Sequence, residues 1–525
     1  MKNRNAWAVE GNRWIMDALL KRPNIVLVIV ESWDGRVLGC LGDPALKSVT
    51  PNIDKFAERG VLFTRCYTPH PICCPARANL WSGQYTFNCK SWSNHKGLEP
   101  GTPILRDVLV REGGYILATR KWGPKGDIGI GKHDYLSGGH SQQNRITDWT
   151  CAANIELPSY LQPAPKVKDS DDEKYHLEDW IRCAMAKRFL EKQAKRHKKG
   201  KDEPFFLCLS LTTPHPAFKT TRHWLSRVDY DAVSVPPKDH EPLHPVFKYQ
   251  RISKAWVHGL DPASVKRTRA IYYAMIAETD ALIGEVLDKI DELGLRDTTH
   301  VIITADHGEN NMEHDLFYKM NMYESSARVP LVVAGPGIQQ GVVVDEIVSL
   351  VDLYPTILDL TGIPKEAAPD RLDGESLLPL LKGTPGWSRD HAFSMYTGTA
   401  ANTSMFMIRT GRWKYIAYPG FEPQLFDLEA DPDEITNLAG NRPDLVKQLD
   451  EKLRSVCDYE RVHAEWQAWC KASFRAYRDK LKGKTIPLFE YGAKNPRATY
   501  EDVMANTYKG WTAMHAKQLE DWLNS

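Results

Sequence analysis

Along the first 388 residues short apolar runs alternate with stretches of helical spacing. The run Ile25-Val26-Leu27-Val28-Ile29-Val30 is largely β-branched and closes on Glu31, Asp34 and Gly35. Such a run reads as a central parallel strand buried on both faces, with Glu31 carried to its carboxyl end. Residues 61–67, 204–211 and 299–305 read the same way. Between them, 50–60 predicts a short helix stopped by Gly60, and 180–193 has helical period. The strongest helix is 265–295, where Ile271, Met275, Ile276, Leu282, Ile283, Val286, Leu287 and Ile290 recur on one face. A further helix is expected to begin near Pro75, with Cys73 in the loop before it, and 217–262 reads as a long irregular insertion. Strand and helix alternating in this way predict an α/β fold, a large mostly parallel sheet with helices on both faces.

After Gly374-Glu375-Ser376-Leu377-Leu378 the texture changes. Residues 405–418 read as two strands meeting at Thr410-Gly411, with a further short run at 424–428, so a small antiparallel sheet is expected. From Asp444 the chain is mainly helical and rich in Trp and Tyr. The boundaries that follow are 1–388 for the main domain and 389–525 for a subdomain of antiparallel sheet and helical tail.

At 525 residues the chain is long enough for a large core. Its 68 basic and 67 acidic residues leave a net charge of +1, which gives no footprint for nucleic acid. The acidic run 169–173 and basic run 195–199 read as solvated surface. Residues 1–22 hold no apolar core of secretory length, no run spans a membrane, and the ten cysteines follow no metal or disulfide spacing. Reduced thiols in a cytoplasmic protein without membrane or nucleic-acid partners are the expectation.

Chemistry gathers at the strand ends. In open α/β sheets ligands bind at the carboxyl edge, where Glu31, the Asp306-His307-Gly308 triplet, and His215 between Pro214 and Pro216 all fall. Ahead of a predicted helix N-terminus, suited to an anion, lies Cys73-Cys74-Pro75-Ala76-Arg77. Residues 126–132 stop one hydroxyl short of a phosphate loop, because position 133 is His, so a nucleotide site is rejected.

The Cys-x-Pro-x-Arg pentapeptide resembles the signature of the type I sulfatases of the alkaline phosphatase superfamily, and the other motifs follow in that family's order. In the family this cysteine becomes a formylglycine, whose hydrate attacks sulfur. The resemblance implies that Glu31, Asp306, His307 and modified Cys73 hold one divalent cation. Calcium comes first, and His307 admits manganese or magnesium. It also implies that Lys132, His215 and Lys319 ring the sulfate and that Arg77 supports the formylglycine. His215 is then the acid for the leaving alcohol, with Lys319 second. Gly131-Lys132-His133-Asp134 resembles the family's Gly-Lys-x-His segment, but Asp134 stands at the usual histidine, leaving Asp134 or nearby His140 as the base that releases sulfate. Glu31 likewise stands where Asp is common.

Segments 71–75, 91–98, 272–281, 317–324 and 413–418 look like the branch of the family that removes the 2-sulfate of glucuronate. The implied substrate is a small sulfated molecule, a sugar 2-O-sulfate or an aryl sulfate. Trp92, His95, Lys96 and Arg145 are candidate substrate contacts, and a formylglycine-generating enzyme is the implied maturation partner. Two rivals stand beside this reading: a phosphonate monoester or phosphate diester hydrolase of the same superfamily, and a catalytically silent metal-containing binding protein.

Overall fold

The computed structural model describes residues 22–118, 148–156, 165–201, 203–239, 242–254, 259–481 and 513–525. Thirteen strands lie among these residues: β1 Asn24–Val30, β2 Val61–Tyr67, β3 Ile116–Leu117, β4 Lys166–Lys168, β5 Phe205–Leu211, β6 Lys219–Thr221, β7 Thr299–Ala305, β8 Arg328–Ala334, β9 Val342–Ser349, β10 His391–Tyr396, β11 Met405–Thr410, β12 Trp413–Tyr418 and β13 Phe421–Asp427.

The main sheet runs β3-β5-β1-β7-β8-β2-β9. Only β8 is reversed, pairing antiparallel with both β7 and β2, so the sheet is mostly parallel as expected. Strands β1, β5 and β7 are buried along their whole length, as apolar runs covered on both faces must be. Each buried Val, Leu or Ile there contributes roughly 1.5–3 kcal/mol of transfer free energy. The helix Pro262–Glu292 packs its buried Ile271, Met275, Ile283 and Val286 into the main core.

Two expectations need correction. The helix carrying the signature begins at Cys73, the first residue of Cys73–Ser82, and all ten of its residues are buried. Pro75 lies in the first turn, where its missing N–H has no intrahelical partner to lose, so it does not delay the start. The stretch 217–262 is also less irregular than its sequence suggests. It contains β6, which pairs with β4, and the helices Arg222–Leu225 and Pro245–Ser253. Buried Phe218, Trp224, Val228 and Val233 anchor it, but they are too widely spaced to register as a period.

The second sheet, β10-β11-β12-β13, is antiparallel, and β10 is a fourth strand that the sequence reading did not anticipate. It is buried on both faces with a period of two. Phe393, Met395, Phe406 and Ile408 face the helices Pro443–Val456 and Tyr459–Leu481 through Leu449, Leu453 and Trp466. Tyr396, Met405, Met407 and Ile416 pack against Ile72, Phe247, Met320 and Tyr323 of the main domain. The small sheet therefore backs the loops that leave the carboxyl edge of the large one.

Candidate active site

Just beyond their paired ends, the three central strands are laced together by backbone. The Glu31 N–H donates to Leu211 O (3.1 Å), Asp306 N–H to Val30 O (3.1 Å) and Trp33 N–H to His307 O (2.9 Å). This register brings Glu31 and Asp306, far apart in sequence, to the same edge. Ser32 follows Glu31 in the left-handed region at φ 67°, a conformation non-glycine residues hold only when their surroundings impose it. Gly308 closes the Asp-His-Gly triplet because a Cβ there would lie 1.9 Å from Ser325 O.

The first turn of the helix Cys73–Ser82 meets this edge. The Cys73 thiol donates to Glu31 Oε1 at 3.0 Å and lies 3.2 Å from His307 Nε2. Glu31, Cys73, Asp306 and His307 are all buried, and each offers one ligand atom within 4.8 Å of the others. His307 Nδ1 faces Gly308 O at 2.9 Å, so that nitrogen carries the hydrogen and Nε2 presents its lone pair to the cluster.

Burial pushes the Glu31 carboxyl up, but His215, Arg77 and Lys319 together hold it below the usual carboxylate range. Burial, then Lys319, keeps His307 well below its ordinary value and therefore neutral. Burial and the Glu31 charge push the Cys73 thiol well up. A protonated, enclosed thiol is a poor nucleophile, so residue 73 needs further chemistry before it attacks anything.

Around the cluster stand three cations or potential cations. Arg77, one turn into the helix, donates from Nε to Asp306 Oδ2 (2.9 Å) and from Nη1 to Ser210 Oγ (2.7 Å). Burial lowers the Lys319 ammonium, but the surrounding Glu31, Glu309 and Asp306 outweigh it and keep the group protonated. His215 Nε2 lies 3.8 Å from Glu31 Oε1, and its side chain, 26% exposed, is the open member of the group. Burial and Lys319 push His215 down to about 4, so it is neutral near pH 7 in the substrate-free protein.

The structure thus brings together Glu31, Cys73, Arg77, His215, Asp306, His307 and Lys319. Lys132, Asp134, His140 and Arg145 lie outside the described residues. Trp92, His95 and Lys96 have partners of other kinds. Trp92 is buried in the C-terminal core. His95 pairs with Asp148 at 2.6 Å and stacks on Trp469, and Lys96 pairs with Glu99. Their neighbour Asn94 reaches the site instead, its Oδ1 accepting from the Cys74 N–H at 2.9 Å. Sequence reasoning gave no role to Asn94, Ser210 or Glu309. Only Glu309 carried a signal, its place directly after Asp-His-Gly.

Known proteins resemble this chain along most of its length. The sulfatase family model matches residues 23–363, and the model described as N-sulphoglucosamine sulphohydrolase, C-terminal, matches 312–458. Arylsulfatase K of Bos taurus is 39% identical over 533 residues, covering 96% of this chain and 92% of that protein. The crystal structure of the phosphonate monoester hydrolase of Agrobacterium radiobacter superposes with a TM-score of 0.65 at 27% identity, covering 83% of this chain and 95% of that one. A structure titled a 2-O GAG sulfatase shares the fold at TM-score 0.61 and 22% identity, covering 87% and 94%. With the family's model across its main domain and that identity along nearly its whole length, the chain belongs to the sulfatase family and is a hydrolase of sulfate esters.

Proposed function

We propose that this enzyme removes a 2-O-sulfate from a uronic-acid residue, using Cys73 in its formylglycine form and one calcium ion. The observation that carries the proposal is the buried meeting of Glu31, Cys73, Asp306 and His307 beneath Lys319 and His215. Two carboxylates and a neutral imidazole converging with residue 73 form an oxygen-rich donor set, which fits a hard divalent cation. Glu31, Asp306 and His307 Nε2 would hold that cation. It would supply positive charge for the sulfate oxygens and lower the pKa of the attacking hydroxyl, which the hydrated formylglycine at position 73 provides.

The remaining work falls to the chain's own groups. Lys319, protonated and enclosed, offers a cation that needs no reorganisation as charge builds on the ester. Arg77 fixes Asp306 and the first turn of the signature helix relative to each other. His215 faces the site from its open side and is neutral when the site is empty, so it gains a proton only as the anionic ester arrives and raises its affinity for one. Lys319 is already protonated when the ester arrives, and this lets it stand beside His215 as a candidate donor to the leaving oxygen.

The uronate reading is supported by the identity to arylsulfatase K and by the segments that resemble the glucuronate 2-sulfatase branch. Likeness to a phosphonate monoester hydrolase favours a second reading, with phosphonate monoesters turned over at the same centre. Two measurements test the proposal. The Cys73 peptide should be lighter by about 18 Da than the thiol form. Among sulfated saccharides, nitrophenyl sulfate and a phosphonate monoester, kcat/KM should be highest for the 2-sulfated uronic acid; a higher value for the phosphonate would overturn the ranking.

A further inference from the structure

Lys319 is held by a backbone that ought not to be comfortable. The residues on either side, Tyr318 at φ 64° and Met320 at φ 86°, lie in the left-handed region, and neither is glycine. Each such residue costs roughly 1–2 kcal/mol, and it persists only where neighbouring groups over-determine it. Those neighbours come from the end of the helix Pro245–Ser253, inside the stretch that the sequence presents as an insertion. Fully buried Lys254 donates from Nζ to Phe317 O (2.6 Å) and to Lys319 O (3.0 Å). One turn earlier, buried Gln250 donates from Nε2 to Met320 O (2.7 Å). From the other side Glu309 accepts the Tyr318 N–H, and the Asn310 N–H donates to Tyr318 O (2.6 Å).

Three carbonyls of this irregular segment, those of Phe317, Lys319 and Met320, therefore meet one helix end, and the buried Lys254 Nζ takes two of them. Burial and the nearby Lys319 charge push the Lys254 ammonium down to about 7 against the pull of Glu309, so it is an expensive group to enclose for a purely structural hydrogen bond. Charged, the group makes bonds about twice as strong as a neutral donor's, and as the amine it still carries two hydrogens, one for each carbonyl. Two bonds from one buried nitrogen, on carbonyls 317 and 319, fix the direction in which the Lys319 side chain leaves the backbone. A misplacement of about 1 Å in a group that stabilises developing charge can cost on the order of 10²-fold in rate.

We propose that Lys254, assisted by Gln250, is a positioning residue for the reaction: it holds the Lys319 backbone so that the Lys319 ammonium faces Glu31, Cys73 and Asp306. The inference rests on the reading of Lys319 as part of the sulfate-binding site. The grip on two carbonyls, rather than contact with substrate, is what Lys254 contributes.

The test is a double-mutant cycle on the full-length enzyme with nitrophenyl sulfate as probe, combining Lys254→Met with Lys319→Ala. Alone, Lys254→Met should lower kcat on the order of 10²-fold while KM moves less than about 3-fold. In the Lys319→Ala background the same substitution should cost less than about 3-fold, because the group it positions is already gone. Equal losses in both backgrounds would show Lys254 acting independently of Lys319 and would overturn the proposal. If Lys319→Ala by itself keeps near-normal turnover, the reading of Lys319 fails instead, and the two failures are distinguishable. Should Lys254→Met not fold, the cycle is run with Gln250→Met, which removes one neutral hydrogen bond and should show the same pattern at smaller amplitude. Loss of folding in both variants would make these groups supports of the fold and would equally overturn the proposal.

Discussion

Arg77 and Asp306 form a buried ion pair, Nε to Oδ2 at 2.9 Å, with both side chains almost wholly enclosed. The pair ties the helix that carries Cys73 to the end of β7, so the position of residue 73 over Glu31 and His307 depends on it. A buried pair of this kind is weak evidence for net stability, but removing one partner strands a charge, typically at a cost of 3–5 kcal/mol. Arg77→Ala should therefore destabilise by about that much and abolish turnover. Arg77→Lys keeps the charge, loses the fork that reaches Ser210 as well as Asp306, and should recover most of the stability but little kcat. Urea unfolding beside steady-state kinetics checks both, and a fully active Arg77→Lys would refute the positional role.

Cys73→Ala removes a thiol whose contacts are a hydrogen bond to Glu31 and a close approach to His307. The fold should survive while all turnover disappears, as read by thermal unfolding and a sulfate-release assay.

Glu31, Asp306 and His307 should also link stability to divalent cation. A ligand that binds only the native state stabilises it by about 2.7 kcal/mol at a hundred times its dissociation constant. Chelation should lower the unfolding temperature and calcium should restore it. In Asp306→Asn the response should shrink markedly. The readout is thermal, so it needs no turnover. An unchanged calcium response in Asp306→Asn would exclude Asp306 as a ligand.

His70, buried just before the signature helix, predicts an acid sensitivity. Its Nε2 accepts from the Thr397 N–H at 3.4 Å, and its Nδ1 faces Thr86 Oγ1 at 3.0 Å. Burial pushes the ring down to about 3 from 6.5. The unfolded chain therefore takes up this proton first as pH falls. The stabilising term is whole above about pH 6.5 and is lost towards pH 3, at up to about 1.4 kcal/mol per pH unit. His70→Gln should be less stable than the parent near neutrality by about 1–3 kcal/mol, with the gap narrowing as pH is lowered. Urea unfolding from neutral to mildly acid pH measures this, and parallel stability curves would contradict it.

How far the sequence could be read depended on whether a residue's role was local. Glu31 and Asp306 were legible because each ends a strand whose apolar run fixes its direction, and the carboxyl edge of the sheet then brings them together. Cys73 and Arg77 were legible because their spacing is itself the motif. Lys254 and Gln250 were not, since their partners are backbone carbonyls 63 to 70 residues away and a carbonyl leaves no mark on composition or period. The reversal of β8 was hidden for a similar reason. Its run Val329-Pro330-Leu331-Val332-Val333 is as apolar as its parallel neighbours, and buried strands of either direction look alike. Asn94 lies in the segment 91–98 that carries the resemblance, but only the folded loop brings its Oδ1 to the Cys74 N–H.

The joint between the two sheets yields the last prediction. Lys414 of β12, fully buried, pairs with Glu324 at 2.8 Å and Glu434 at 2.7 Å and donates to Met322 O at 2.8 Å. Glu434 in turn accepts the Glu324 N–H at 2.6 Å. Glu324 closes the loop that carries Lys319, so this cluster fastens the small sheet to the wall of the site. Lys414→Met keeps the volume of the stem but leaves Glu434 enclosed without its cation, a change expected to cost about 3–5 kcal/mol. Adding Glu434→Gln removes one of the two carboxylates and should return part of that loss, which a purely steric effect of methionine would not allow. Because Met322 and Glu324 move with the loop, kcat in Lys414→Met should fall further than KM rises. Urea unfolding of the single and double variants decides the matter: if Glu434→Gln brings no recovery in the Lys414→Met background, the cluster is not held by charge.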